Sequence, residues 1–146
     1  MTTVTTHWAA HLIGTPWRSG ARGPDAFDCW NLVRHIFLMR HGVEMPEVQI
    51  GSDANLAPLF EAARASGWRH VEPPVAPQAD DIVLMRGHTG RHCGYLVEAD
   101  GRLGVLHSDG HQTVRGPVGG VVFQSLADAT SGGYHNFEFW RRNPHA

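Results

Sequence analysis

Asp28 and Cys29 stand at the start of an apolar pattern with helical spacing that ends at Gly42. An aspartate placed just before a helix accepts hydrogen bonds from its first backbone N–H groups, so Asp28 is suited to be the N-cap. Cys29 then falls in the first turn, where unpaired N–H groups and the positive end of the helix dipole lower the pKa of a thiol. Together with His92, further along the chain, this placement predicts a cysteine nucleophile and its histidine.

Helical signals fill the first half of the chain. A short helix is expected near the start, where apolar residues at helical spacing run from Val4 to Leu12. A second helix is expected to begin at Cys29 and to close at Gly42, because glycine adopts the left-handed conformation of a C-cap without strain. A third is expected over about 53–66.

Short apolar runs separated by turn residues fill the second half, and they predict a meander of strands. Asp100 and Gly101, between two of these runs, give a hairpin signal. Helices followed by strands indicate the α+β class, with N-terminal helices packed on a C-terminal antiparallel β-sheet. The expected strands lie at residues 82–86, 92–98, 102–107, about 118–124 and 135–141.

The composition predicts one globular domain over residues 1–146. Apolar residues make up 42% of the chain and charged residues 18%, and the net charge of -2 gives no electrostatic reason to expect a nucleic-acid partner. No apolar run is long enough to span a membrane, so no membrane insertion is expected. The first residues lack the basic and apolar parts of a signal peptide, which predicts synthesis and retention in the cytoplasm. Two cysteines are too few for a disulfide framework, and both are expected to be free thiols.

Strand geometry selects among the eleven histidines. Side chains two residues apart share one face of a strand, so His92 and Gly94 are expected to face the helix that bears Cys29. Gly94 would then allow the helix end to approach closely, and Cys93 would point away from the site. His107 ends the neighbouring run and is expected to bond the other nitrogen of His92, which fixes the tautomer of that ring.

Several stretches of the chain resemble the NlpC-type cell-wall peptidases, small papain-like cysteine enzymes that cut peptidoglycan stem peptides. The resemblance extends over roughly residues 10–142, and it points to the branch carried on the tail tips of long-tailed phages. The stretches that carry it are GTPWRSG at 14–20, DCWNLVR at 28–34, HGVEMP at 41–46, DIVL at 81–84, HCGYL at 92–96 and VLHS at 105–108.

The resemblance implies a papain-like fold and hydrolysis through a thioester. Cys29 would be the nucleophile, His92 its acid and base, and His107 the third residue. The implied target is the bond between D-glutamate and a diamino acid such as meso-diaminopimelate, and no cofactor is implied. The implied partners are the stem peptide and tail-tip or hub proteins. The implied location is the virion tail, acting in the periplasm or cell wall.

Three more residues are candidate oxyanion or substrate contacts. Trp17 stands where the family usually has a tyrosine whose hydroxyl helps to hold the oxyanion. Its indole N–H can donate in the same way, or its ring can pack or stack on substrate. Arg18 and Arg91 can pair with substrate carboxylates, or remain solvated. Asn31 replaces the family's usual glycine after the aromatic residue.

Three rival functions share parts of this pattern. An amidase of the same superfamily has the same order of cysteine and histidine. A non-enzymatic tail-tip subunit would retain the fold, with the changes at Trp17 and Asn31 marking its decay. A zinc site is disfavoured, because a spacing of four does not place two ligands on one face in turn and strand segments, and no metal is assigned. Its ligands would be His88, His92, His107 and His111.

Overall fold

A computed structural model describes residues 7–48, 56–88 and 90–144. The helices of this part are α1 (Cys29–His41), α2 (Ala57–Ala62) and α3 (Leu126–Ser131). The strands are β1 (Trp68–Val71), β2 (Ile82–Gly87), β3 (Gly90–Ala99), β4 (Arg102–Thr113), β5 (Gly116–Gln124) and β6 (His135–Arg142). No helix in these ranges is long and apolar enough to cross a membrane.

The six strands form one sheet in the order β1-β6-β2-β3-β4-β5, in which all neighbours are antiparallel. The predicted hairpin between β3 and β4 is present, with positive φ angles of 52° at Asp100 and 74° at Gly101. The helices that precede the sheet pack on one of its faces. The predicted α+β, papain-like class is therefore confirmed.

Helix α1 has the ends that the sequence predicts. The Asp28 carboxylate accepts a hydrogen bond from the backbone N–H of Asn31 at 2.7 Å, as an N-cap does. Gly42 closes the helix in the left-handed conformation, with φ of 65°. The apolar stripe of α1 is fully buried against the sheet and consists of Leu32, Val33, Ile36 and Phe37.

Alternating side chains give the sheet two separate cores. The core beneath α1 and α2 contains Cys29, Cys93 and Tyr95 together with Leu106 and Trp140. The core on the opposite face is smaller and lies beneath α3; its buried members are Val83, Met85, Leu96, Val105 and Ala129. The position of Cys93 in the first core, on the same side of the sheet as α1, bears directly on the candidate site.

Some elements differ from the sequence prediction. The first helix is a single 3-10 turn at Ala10–Leu12, and Val4 lies outside the described residues. The helix expected over 53–66 appears as α2 followed by a 3-10 turn, and residues 53–55 also lie outside the described part. Strand β1 and helix α3 were not predicted. Each has few residues, and β1 contains the polar pair Arg69 and His70 where an apolar run would be expected.

Candidate active site

Cys29 is the first residue of α1 and is 6% exposed. The groups that act on the acidity of its thiol are the Cys93 thiol and backbone and the His92 imidazole. The Cys93 thiol is the strongest influence, and together with His92 it holds the pKa of Cys29 well below that of an ordinary thiol despite burial. This is the environment of a reactive thiolate.

The prediction that Cys93 points away from the site is wrong. Its pairing partner in β2 is Leu84, and both side chains lie in the core that contains Cys29. The pairing of β3 with β4 ends at Tyr95 and Leu106, and beyond it the backbone of Cys93 helps to lower the pKa of Cys29. The alternation along β3 holds, but its two faces are the reverse of the prediction. Cys93 lies on the α1 face, whereas His92 and Gly94 pair with Met85 and Val83 of the opposite core. Burial raises the pKa of the Cys93 thiol well above its usual value, so Cys93 remains the protonated partner.

His92 and His107 are joined directly. His92 Nε2 lies 2.7 Å from His107 Nδ1, and both rings are buried. The two rings meet edge to face, with their centroids 5.0 Å apart. The structure thus brings the three predicted residues into one chain of contacts, from the sulfur of Cys29 through His92 to His107.

The chain of contacts continues to Gln124, a residue that the sequence reasoning did not identify. His107 Nε2 lies 2.8 Å from Gln124 Oε1. Burial, followed by the charge of His92, lowers the pKa of His107 to about 4. His107 is therefore a neutral imidazole at physiological pH, with one donor and one acceptor nitrogen.

Tyr134 covers the two histidines and was also missed. Its ring stacks on His92 at a centroid distance of 4.8 Å and meets the edge of His107 at 5.3 Å. The Tyr134 hydroxyl donates to Asp109 Oδ1 at 2.6 Å, so this carboxylate is engaged by tyrosine. The tyrosine excludes water from the histidine pair on this side. No local sequence signal distinguishes it, since it lies in the turn between α3 and β6.

Gly94 serves a purpose other than the predicted approach of the helix end. A Cβ atom at this position would lie 2.5 Å from Val105 Cγ2 and 3.1 Å from His107 Cβ. The neighbouring strand, rather than α1, is therefore what requires glycine here. The absence of a side chain lets His107 come within hydrogen-bonding distance of His92.

Asn31, which replaces the family's usual glycine, belongs to the framework that holds the start of α1. Its amide Nδ2 donates to the Asp28 carboxylate at 3.1 Å, and its Oδ1 accepts from Arg34 at 2.9 Å. On the other side, the Ser108 hydroxyl donates to the carbonyl of Phe27 at 2.7 Å. These contacts fix the residues on both sides of Cys29 to the first turns of α1 and to β4, so the asparagine is compatible with an ordered site.

The three candidate contact residues are not gathered at one point. Trp17 is half-buried beside Gly110 and lies on a segment bridged to Phe27, two residues before Cys29. Arg18 is exposed on the same segment. Arg91 lines a cleft of about 160 Å³ beside His92. The structure thus flanks the site with Trp17 and Arg18 on one segment and with Arg91 on β3.

Two further cavities differ in their relation to the site. One of about 400 Å³ adjoins Tyr134 and Asp109 and is also lined by His88 and His111. Another of about 770 Å³ is lined by residues such as Phe37 and Arg141 and contains none of the candidate site residues. Within the described ranges, no three or more His, Cys, Asp or Glu side chains are placed to hold a metal ion.

Known proteins resemble this chain in sequence. The chain is similar to tail tip assembly protein K of Escherichia phage N15, with 32% identity over 101 residues. That alignment covers 64% of this chain and 40% of the phage protein, so the chain spans less than half the length of this relative. Residues 14–133 match the NlpC/P60 family, a family of hydrolytic cysteine peptidases that act on cell walls. Because this match includes most of the chain and all three residues of the contact chain, the protein belongs to the NlpC/P60 family.

Proposed function

We propose that this protein is a cysteine endopeptidase that cleaves stem peptides of peptidoglycan. The observation that carries the proposal is the continuous contact from the sulfur of Cys29 through His92 to His107. A thiolate at a helix start, an imidazole beside it and a buried group that orients the imidazole are the components of nucleophilic acyl transfer.

The reaction begins with attack by the Cys29 thiolate on the carbonyl carbon of the scissile amide. The protonated imidazole of His92 gives its proton to the leaving nitrogen, the C–N bond breaks and a thioester remains on Cys29. His92, now neutral, removes a proton from water as the water attacks the thioester. The carboxylic acid leaves, and the thiolate and imidazolium are restored.

The negative oxygen that forms during each attack requires donors. The backbone N–H of Cys29, in the unpaired first turn of α1, is one candidate, and the indole N–H of Trp17 is the second. Arg91, with Arg86 on the paired strand, gives positive charge to the cleft beside His92, and these two cations outnumber the one carboxylate in its lining, that of Glu138. A cleft of this kind suits a carboxylate of D-glutamate or of a diamino acid, and exposed Arg18 is a second candidate for the same role.

The proposed place on a phage tail is supported by the relative rather than by the site. The similarity to tail tip assembly protein K supports association with tail-tip or hub proteins, and activity in the periplasm or cell wall of the infected bacterium. Such an enzyme would open the peptidoglycan locally for genome delivery. A single domain over residues 1–146 would be sufficient for the chemistry.

Digestion of purified diaminopimelate-type peptidoglycan, followed by mass analysis of the released fragments, tests the proposed reaction. An endopeptidase should release fragments cut between D-glutamate and the diamino acid. Intact stem peptides freed from the glycan would identify an amidase instead. No release at any pH would support a tail subunit without enzymatic activity.

Two single-atom changes provide matched controls in the same assay. Cys29→Ala removes the nucleophile and should abolish release, while the cap contacts of Asp28 keep α1 folded. Cys93→Ala removes the neighbouring sulfur and should retain activity near the pH optimum. Equal loss of activity in both variants would contradict the assignment of Cys29 as the nucleophile.

A further inference from the structure

Gln124 is placed to determine where the protons lie on both histidines. It is the last residue of β5 and pairs with Val105, which is two residues before His107 on β4. Since residues two apart on a strand share a face, Gln124 lies on the same face of the sheet as His107. Its Oε1 lies 2.8 Å from His107 Nε2, and the His107 side chain has no solvent-exposed surface.

The carbonyl oxygen of an amide only accepts hydrogen bonds. His107 Nε2 therefore carries the hydrogen, and Nδ1 of the same neutral ring carries the lone pair. This lone pair faces His92 Nε2 at 2.7 Å, so His92 Nε2 is the donor. The direction of each hydrogen bond in the chain is thus set from the Gln124 end.

The opposite arrangement would slow the chemistry. If His107 carried its hydrogen on Nδ1, two N–H groups would meet whenever His92 was protonated. His92 could then exchange protons with Cys29 only against this repulsion. The protonated form of His107 would have the same effect, since both of its nitrogens are donors.

The surroundings of His107 also keep it neutral. His92 from β3 and Cys29 from α1 face it, with Asp109 on its own strand and Tyr134 before β6. Burial and the charge of His92 favour the neutral form, against smaller opposite effects of Gln124, Asp109 and Cys29. A neutral amide at position 124 satisfies His107 Nε2 without adding a negative charge that would favour protonation.

We propose that Gln124 is a positioning residue, which sets the tautomer of His107 and, through it, the proton on His92. The inference rests on the proposed peptidase function. It adds a fourth member to the contact chain, one that touches neither substrate nor the reacting sulfur. A glutamine that served only to fill space would have no influence on ring tautomers or on the pH profile.

Two substitutions separate these roles. Gln124→Met keeps the size of the side chain but removes the acceptor, and it should lower kcat by about ten- to a hundredfold with little change in KM, as losses of orienting partners do. Gln124→Glu keeps the acceptor and adds negative charge, which should raise the pKa of His107 by about one to three units. Its activity should approach the wild type at neutral to alkaline pH, with the acid limb of the profile moved upward. Gln112→Met, the same change at an exposed glutamine of β4, is the matched control and should be fully active.

Ring nitrogen NMR of the 15N-histidine-labelled protein tests the proposal without any assay of cleavage. The His107 signals, identified by their loss in His107→Gln, should show hydrogen on Nε2 in the wild type. Gln124→Met should show a mixture of tautomers. A wild type that cleaves no peptidoglycan can still show hydrogen on His107 Nε2, with Gln124→Met losing this preference. In that case the proposed function fails while the orienting contact is supported. Hydrogen on Nδ1 in the wild type, or unchanged tautomer and kcat in folded Gln124→Met, would overturn the proposal.

Discussion

Replacing Cys93 with alanine should make Cys29 a weaker acid. The Cys93 thiol is the strongest of the influences that lower the pKa of Cys29, and the variant removes it. The backbone N–H of residue 93 and the imidazole of His92 remain as donors. The pKa of Cys29 should therefore rise but stay below that of an ordinary thiol.

The size of this change follows from the strength of one hydrogen bond. Hydrogen bonds to a charged group contribute about 1.5–3 kcal/mol, and a thiol is a weak donor, so the lower end applies. Since one pKa unit corresponds to about 1.4 kcal/mol, the pKa of Cys29 should rise by roughly one unit. The thiolate fraction on the acid side of the profile should fall about tenfold, and at alkaline pH it should not change.

The rate of alkylation by iodoacetamide, followed by mass spectrometry of the Cys29 peptide from acid to mildly alkaline pH, measures the shift. Cys93→Ser is the control, because its hydroxyl keeps a donor at the same place, and its profile should stay close to that of the wild type. In the wild type, Cys93 should remain unlabelled because burial raises its pKa. Superimposed profiles for Cys93→Ala and the wild type would refute the reasoning, and preferential labelling of Cys93 would reverse the two roles.

Three other outcomes follow from the histidines. His92→Ala should abolish cleavage and reduce the alkylation of Cys29 at low pH, because a donor to the thiolate is lost; an unchanged alkylation profile would exclude the pair. His107→Ala should lower kcat about ten- to a thousandfold, and His107→Gln should recover part of the loss; full activity of the alanine variant would exclude an orienting role. The pKa of His107 is about 4 in the folded protein against an ordinary value of 6.5, so the unfolded chain binds the extra proton first as pH falls. The free energy of unfolding should thus decrease by up to about 3 kcal/mol below neutral pH. Urea titrations of His107→Gln should lack this decrease, and the same pH dependence in the variant and the wild type would contradict the assignment.

Local signals made α1 predictable in full. A capping aspartate, a helical apolar stripe and a terminal glycine lie within one short segment, and each acts on backbone groups only a few residues away. The strands around His92 and His107 were predictable for the same reason, since apolar runs between turn residues mark them. Strand β1 lacked this signal, because its pairing with β6 rather than its own residues makes it a strand.

The candidate site was less predictable, because it depends on contacts between distant segments. The order of Cys29, His92 and His107 could be interpreted from the sequence, and the structure brings the three together. The alternation along β3 was predictable, but which of its two faces packs on α1, and so the side taken by Cys93, depends on contacts that no local pattern encodes. Gln124 reaches His107 only through the register of β5 on β4, and it could not have been selected beforehand.

The position of β6 affects how the chain can acquire its structure during synthesis. Among the described strands this one comes last in sequence, yet it lies inside the sheet between β1 and β2. Its Arg141 forms two hydrogen bonds of 2.8 Å with the buried carboxylate of Asp81, which sits just before β2. Until residues 135–142 leave the ribosome, β1 has no strand to pair with and the Asp81 carboxylate lacks its cation. Helix α1 can form early, but the sheet on which it packs closes only when β6 is inserted, so the pairing of β6 with β1 and β2 must come late in synthesis.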